Sequence, residues 1–212
     1  LTITTKDNMA VTWTPGVTSG TTPQAALVVS GVDGFKLSNL TIDLQGTAAD
    51  TGVWVGRTCP GLTLDNVAVL RPKGSGFRFH TAAGDSARPV VLSRSRVKSE
   101  RGGVDGLVLA ANCRSVRVVG CRFDGPGANG IKVDGPATDV EFAHNRVSRF
   151  DTGVLLTGSL EPTQAYSVTF ANNTVVMPGG KTAFAIGHQF RDARQSLTLA
   201  RNYVNKDARV SD

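Results

Sequence analysis

The sequence predicts an all-β fold, a parallel β-solenoid of about seven to eight coils in one domain. Helix formers are scarce, since only three of the 17 acidic residues are glutamate. Glycine is abundant, with 24 residues, and the many Val and Thr residues favour strands. One apolar pattern also recurs along most of the 212 residues. These observations exclude a helical bundle.

The recurring pattern reads apolar-x-apolar-x-x-x-x-apolar. Its seven copies start 24 to 29 residues apart, with a mean spacing of 27. They are Phe35–Ile42, Leu62–Val69, Val90–Val97, Val116–Phe123, Val140–Val147, Val168–Val175 and Leu197–Val204. Alternation with period two predicts that each copy forms two very short strands joined by a bend.

A third short strand lies between the copies and usually begins with glycine. Its occurrences are Gly52–Val55, Gly76–Phe79, Gly106–Leu109, Gly130–Val133, Gly153–Leu156 and Ala183–Ile186. Strands this short do not make a useful hairpin sheet. Stacking each coil on the last, at about 4.8 Å, pairs them and buries one apolar column. We therefore expect Val140 to lie directly over Val168, and Val118 to point into the column.

Two of the repeats, VTFANNTV and FKLSNLTI, resemble those of the right-handed parallel β-helix proteins of the pectate-lyase-like superfamily. The resemblance covers roughly residues 27–204 and implies a right-handed, single-stranded β-helix. It also implies tight bends filled by stacked asparagines. Asparagines hold one bend position on three successive coils and the neighbouring position on two others: Asn145, Asn173 and Asn202, then Asn39 and Asn66. Ser95 and Cys121 stand between them, so the ladder should break there.

The two ends differ from the regular coils at 27–204. Residues 1–26 are expected to form an irregular first coil, with LTITT and MAVTW as strands, and 205–212 a polar tail. Because Leu1 already lies in a strand-like run, we expect the chain to be part of a larger protein. Open coil ends need covering. Neighbouring domains could cover them. The alternative is a homo-oligomer, such as a trimer like the phage tailspikes, which the chain distantly resembles.

The composition indicates which classes of partner the chain is expected to bind. The formal charge of +6 suits an anionic polymer, above all an acidic polysaccharide. Nucleic acid is not expected, because no recognition helix or aromatic interleaving accompanies the basic residues. No stretch is apolar enough for membrane insertion. Three cysteines are too few for a disulfide framework and are expected as free or buried thiols.

The outer side of the Gly-led strands is the usual binding surface implied by the resemblance. The predicted ligand-binding side chains there are Trp54, Arg78, His80, Lys132 and the loop residue Asp105. An outward tryptophan either stacks on a sugar ring or packs under a loop. The charged residues otherwise form ordinary surface pairs. The predicted function is a non-catalytic glycan-recognition or scaffold module of a bacterial or viral surface or sensor protein, located outside the cell or at a cell or virion surface.

The alternative function is a polysaccharide lyase or glycoside hydrolase that uses the same surface. Its candidate catalytic residues are Arg78, Lys132 and Asp134, with Arg78 or Lys132 as the base. Only under this alternative is a cofactor expected, a Ca²⁺ ion held by Asp105, Asp134 and Asp151. Otherwise neither a metal nor a cofactor is expected. The tripeptide Lys98–Glu100 is faintly similar to a motif of alginate and chondroitin lyases, and a hydrolase would use the pair Asp134 and Asp105.

A second set of candidate ligand-binding residues is a row of arginines. Arg96, Arg122 and Arg146 hold the same outward position on three successive coils. Like charges about 5 Å apart repel by roughly 1 kcal/mol in water, so something should offset them. One explanation is pairing with Asp124 within the chain. The other is an anionic ligand held by the forked guanidinium groups.

Overall fold

The protein folds into a parallel β-solenoid of about six turns, without a helix in the part of the chain that is described. A computed structural model describes residues 2–3, 11–13, 25–158, 161, 164–187, 194–205 and 209–211. The 20 strands of the described residues belong to one continuous set of parallel pairings. The predicted count of seven to eight coils was too high. Seven copies of the repeat enclose six steps, and the segment before Ala25 adds only two short described strands.

Each coil contributes a strand to three faces. The first face is built from β1 (Thr2–Ile3), the first halves of β4 (Lys36–Asp43) and β6 (Thr63–Leu70), β8 (Val90–Ser93), β11 (Cys113–Val119), β13 (Ala137–Ala143), β15 (Tyr166–Ala171) and β18 (Gln195–Ala200).

The second face follows the bend. It is built from β2 (Val11–Trp13), the second halves of β4 and β6, β9 (Arg96–Lys98), the starts of β12 (Arg122–Asp134) and β14 (Arg146–Thr157), β16 (Thr174–Val176) and β19 (Tyr203–Val204).

The third face holds the Gly-led strands. It is built from β3 (Ala25–Ser30), β5 (Thr51–Thr58), β7 (Ser75–Ala83), β10 (Asp105–Ala110), the ends of β12 and β14, β17 (Thr182–Ile186) and β20 (Arg209–Ser211). The strand β20 lies in the segment predicted to be a polar tail.

The core is the apolar column that the repeat predicts. Val140 is aligned with Val168, and Val118 with Phe142, in the register between neighbouring coils. Val118 and Phe142 have no solvent exposure. The rings of Phe142 and Phe170 stack with centroids 4.4 Å apart. Each such side chain stabilises the fold by about 1.5–3 kcal/mol relative to an exposed one, so the column is the main source of stability.

The bends between the first and second faces use left-handed backbone angles. The bend residue has a positive φ on seven successive coils, at Asn39, Asn66, Arg94, Gly120, His144, Asn172 and Arg201. Asparagine and glycine tolerate this region best. The Nδ2 group of Asn145 donates to Oδ1 of Asn173 at 3.0 Å, and Asn173 donates likewise to Asn202 at 2.9 Å. The predicted ladder therefore forms.

The ladder breaks where it was predicted to break. The Cys121 backbone N–H donates to Oδ1 of Asn145 at 2.8 Å, but its thiol has no amide to continue the series. One coil earlier, the hydroxyl of Ser95 accepts the Val67 backbone N–H at 3.0 Å. A separate pair joins the first coils, with Asn66 donating to Asn39 at 2.8 Å.

Candidate functional site

Trp54 lies flat across the third face. Trp54 and Gly56 are two residues apart on β5, so alternation places both on the outer side. A Cβ added to Gly56 would lie 2.0 Å from the nearest atom of the indole ring. The ring therefore occupies the space that a side chain at position 56 would need. His80, aligned with Gly56 on the next coil, stacks beside the indole with centroids 6.1 Å apart and planes 21° apart.

A groove of about 430 Å³ opens beside Trp54. It is lined by Asp50, Thr51, Trp54, Gly74, Ser75, Arg78 and Asp105. Val28, aligned with Trp54 on the preceding coil, is 49% exposed and extends the apolar surface. The site thus combines an aromatic platform with hydroxyl, carboxylate and guanidinium groups.

Asp105 is the most buried carboxylate of this groove. Nδ2 of Asn129, aligned with Asp105 on the next coil, donates to its Oδ1 at 2.7 Å. Burial raises the pKa of Asp105 above its ordinary value of 3.8. The hydrogen bond from Asn129 and the charges of Lys132 and Arg78 oppose this rise without cancelling it. Asp105 therefore sits under the electrostatic influence of both predicted basic residues.

Arg78 and Lys132 flank one apolar position in the register. Val108 lies between them and is only 2% exposed. Nζ of Lys132 pairs with Oδ2 of Asp134 at 3.1 Å. Asp151 pairs with Lys181 at 2.6 Å. The described residues contain no group of three or more His, Cys, Asp or Glu side chains arranged to hold a metal ion.

The arginine row lies on the second face, where Arg122 is aligned with Arg96 on one side and with Arg146 on the other. All three residues are exposed. None of them forms an ion pair within the described part of the chain, whereas five other arginines do: Arg71, Arg88, Arg94, Arg117 and Arg149. The row is therefore a series of like charges that has no ion pair of its own within the described residues.

Asp124 pairs with Arg149 rather than with the arginine row. Nε and Nη2 of Arg149 donate to the two oxygens of Asp124 at 2.8 and 2.7 Å, and the Ser148 hydroxyl donates to Oδ1 at 2.9 Å. Burial by itself would raise the pKa of Asp124. The hydrogen bonds from Arg149 and Ser148, with the charges of Arg149 and Arg122, lower it overall. Arg122 therefore acts on Asp124 only through its charge.

A second groove, of about 350 Å³, begins at the arginine row. Its lining consists of Asn39, Thr41, Asn66, Ala68, Arg94, Ser95, Arg96, Gly120 and Arg122. Arg94 is held by the carboxylate of Asp65, whose pKa is lowered chiefly by that hydrogen bond. Arg96 and Arg122 form the basic side of the groove, and small residues such as Ala68 and Gly120 leave it open.

Some features of these sites were not predicted from the sequence. The support of Trp54 by Gly56 was missed, although a glycine two residues after an outward tryptophan is a usable signal. The pairing of Asp124 with Arg149, whose φ is positive at 65°, was also missed. The burial of Asp105 depends on side chains 24 to 30 residues away and leaves no local signal.

The remaining titratable groups follow their positions in the coils. His144 has a positive φ of 57° at its bend, and His188 lies outside the described residues. All three cysteines are free and buried, as expected, and burial raises the pKa of Cys113 and of Cys121 to about 12. Over the described residues, no helix is long and apolar enough to cross a membrane.

Comparisons with known proteins give no match from which a function could be assigned. The chain matches no family model, no curated protein and no solved structure. The parallel β-solenoid is established by its own register of pairings.

Proposed function

We propose that the chain is a non-catalytic glycan-recognition module of a larger protein at a cell or virion surface. The observation that carries the proposal is the Trp54 ring, laid flat over Gly56 beside a groove with polar walls. Trp54, Arg78 and Lys132 are the residues we assign to binding, with His80 and Asp105 beside them. We also assign the repeat to the right-handed β-helices of the pectate-lyase-like superfamily, on its motif and its asparagine ladder.

Sugar recognition needs the two kinds of surface that meet here. The C–H face of a sugar ring is apolar and stacks on an aromatic ring, while its hydroxyls need hydrogen-bond partners at the edge. Trp54 and Val28 supply the apolar strip. Thr51 and Arg78 supply polar groups in the adjoining groove, and the buried Ser75 hydroxyl shares a hydrogen bond of 3.0 Å with the Thr51 hydroxyl. Arg78 also provides a cation for the carboxylate of an acidic sugar.

The proposal is tested by measuring retention of the protein on immobilised pectate, alginate and dextran. Trp54→Ala should reduce retention at least tenfold and leave the melting temperature nearly unchanged, since Trp54 lies on the outer surface. Arg78→Ala should reduce retention on the two acidic polymers more than on dextran. The matched control is Tyr203→Ala, because Tyr203 is an exposed aromatic residue of the second face, at 61% exposure. Retention that survives both Trp54→Ala and Arg78→Ala would contradict this site.

A second candidate function, polysaccharide lyase, is favoured by the surroundings of Asp105. This carboxylate is half-buried, has a raised pKa and lies within the influence of Arg78 and Lys132, as an acid-base group beside an anion-binding cation would. In β-elimination of a uronate, a base removes the C5 proton, the C4–O bond breaks as the C4=C5 bond forms, and the leaving oxygen takes up a proton. Absorbance of unsaturated uronate should therefore rise on incubation with pectate or alginate, and Asp105→Asn should stop it. If the absorbance does not rise either with or without Ca²⁺, the lyase function is contradicted and the binding module is favoured.

A further inference from the structure

We infer that the arginine row of Arg96, Arg122 and Arg146 is a second ligand site, which binds a sulfated linear polysaccharide laid along the solenoid axis. The site lies on the second face, whereas the Trp54 groove lies on the third. It therefore goes beyond the proposed function and does not depend on Trp54.

The first step is that the three arginines of the row have no ion-pair partner among the described residues. The one acidic residue expected to neutralise the row, Asp124, has both oxygens engaged by Arg149. Arg94, beside the row, is likewise held by Asp65. Arg96, Arg122 and Arg146 are exposed and aligned on neighbouring coils, and none of them has an ion pair within the described residues. Such an arrangement disfavours the free protein and favours one that has an anion bound.

The second step is the shape of the row. Neighbouring arginines are one coil apart, about 4.8 Å, along a straight axis. An extended polysaccharide advances by a similar length with each sugar ring. The groove at Arg96 and Arg122 continues this line past Ala68 towards Asn39 and Asn66. A linear polymer therefore meets a repeating cation over three coils and a polar path beyond them.

The third step is the kind of anion. A tetrahedral sulfate ester has three terminal oxygens, so one group can accept hydrogen bonds from two arginines on adjacent coils. A planar carboxylate has two oxygens and matches a single fork. Guanidinium is also weakly hydrated. It therefore suits a singly charged sulfate ester, which is less strongly hydrated than a carboxylate. Phosphate has the same shape, but a nucleic acid would also need aromatic platforms for its bases. In the described part of the row, the only aromatic neighbour in register is Tyr203, beyond Thr174.

The test is a titration of the protein with dextran sulfate and, as the uncharged match, dextran. In the Trp54→Ala variant, which lacks the proposed third-face glycan site, dextran sulfate should bind and dextran should not, and dextran sulfate binding should weaken steeply as salt is added. Arg122→Gln should weaken the affinity about tenfold, and the triple variant Arg96→Gln, Arg122→Gln, Arg146→Gln should reduce it a hundredfold or more. Arg114→Gln is the control, because Arg114 is exposed, has the same charge and lies outside the row. Its affinity should change less than twofold.

Further arms separate this site from the alternatives. Alginate, a carboxylated polymer, should bind the row more weakly than dextran sulfate. Trp54→Ala should leave dextran sulfate binding unchanged, so a failure of the Trp54 site does not affect this result. The inference is overturned if Arg122→Gln binds dextran sulfate as tightly as the unchanged protein does, or if an oligothymidylate binds the row as tightly as dextran sulfate. It is also overturned if binding is lost in Trp54→Ala but kept in the triple variant.

Discussion

The second and third faces both carry basic residues, but the two sets differ in how their charges are paired within the protein. On the third face, Lys132 pairs with Asp134, and the Asp105 carboxylate lies within the influence of Lys132 and Arg78. On the second face, Arg122 has an arginine on either side and its nearest candidate acid is taken by Arg149. A lysine that is already paired within the protein gains less from an external anion than a row of arginines that has no ion pair among the described residues.

The largest expected effect comes from a substitution in the apolar column, because the column supports both faces. Val118→Asp places a charge at a position with no solvent exposure, aligned with Leu92 and Phe142. An unpaired buried carboxylate destabilises strongly, so we expect a loss of roughly 4 kcal/mol or more in the free energy of unfolding. Chemical denaturation followed by circular dichroism measures it. Val119→Asp, one residue along and pointing outward, is the matched control and should cost less than about 1 kcal/mol. Equal losses in the two variants would contradict the assigned alternation.

A smaller effect should have opposite signs on the two faces. Arg122→Gln removes repulsion from two neighbours and should raise the free energy of unfolding by up to about 1 kcal/mol at low salt, with the gain shrinking as salt is added. Lys132→Gln removes the partner of Asp134 and should lower it by roughly 0.5 kcal/mol. Both changes keep a polar side chain of similar reach. A stability loss in Arg122→Gln would show that the row has a counter-charge within the protein.

The smallest expected effect is a difference in pH dependence between two carboxylates. The pKa of Asp105 is raised in the fold, so its contribution favours folding below 3.8 and is lost as pH rises through the folded value. The pKa of Asp124 is lowered, so its contribution is present above 3.8 and is lost as pH falls through the folded value. Thermal melts of Asp105→Asn and Asp124→Asn from strongly acidic to neutral pH check this. Relative to the unchanged protein, Asp105→Asn should gain stability on going to neutral pH and Asp124→Asn should lose it. The same trend in both variants would contradict the assignment.

The sequence predicted what repeats and missed what is particular to one coil. The period of 27 and the alternation within each copy predicted the register of Val140 on Val168 and the inward direction of Val118. The asparagine ladder and its break at Cys121 were predicted because bend positions recur as well. Two features depend on which side chains of neighbouring coils contact a given carboxylate. They are the pairing of Asp124 with Arg149 and the burial of Asp105. A linear pattern carries no information about that competition.

The glycines that open the third-face strands limit how this architecture can vary. A Cβ at Gly106 would lie 2.4 Å from the Gly130 carbonyl oxygen, and one at Gly130 would lie 2.1 Å from a Val147 methyl. Each of these glycines is thus matched to the coil that follows it. Lengthening or shortening the molecule should therefore succeed only by duplication or deletion of a complete repeat. A gene that gained one more arginine-bearing repeat in this way would extend the second-face row without redesigning anything else.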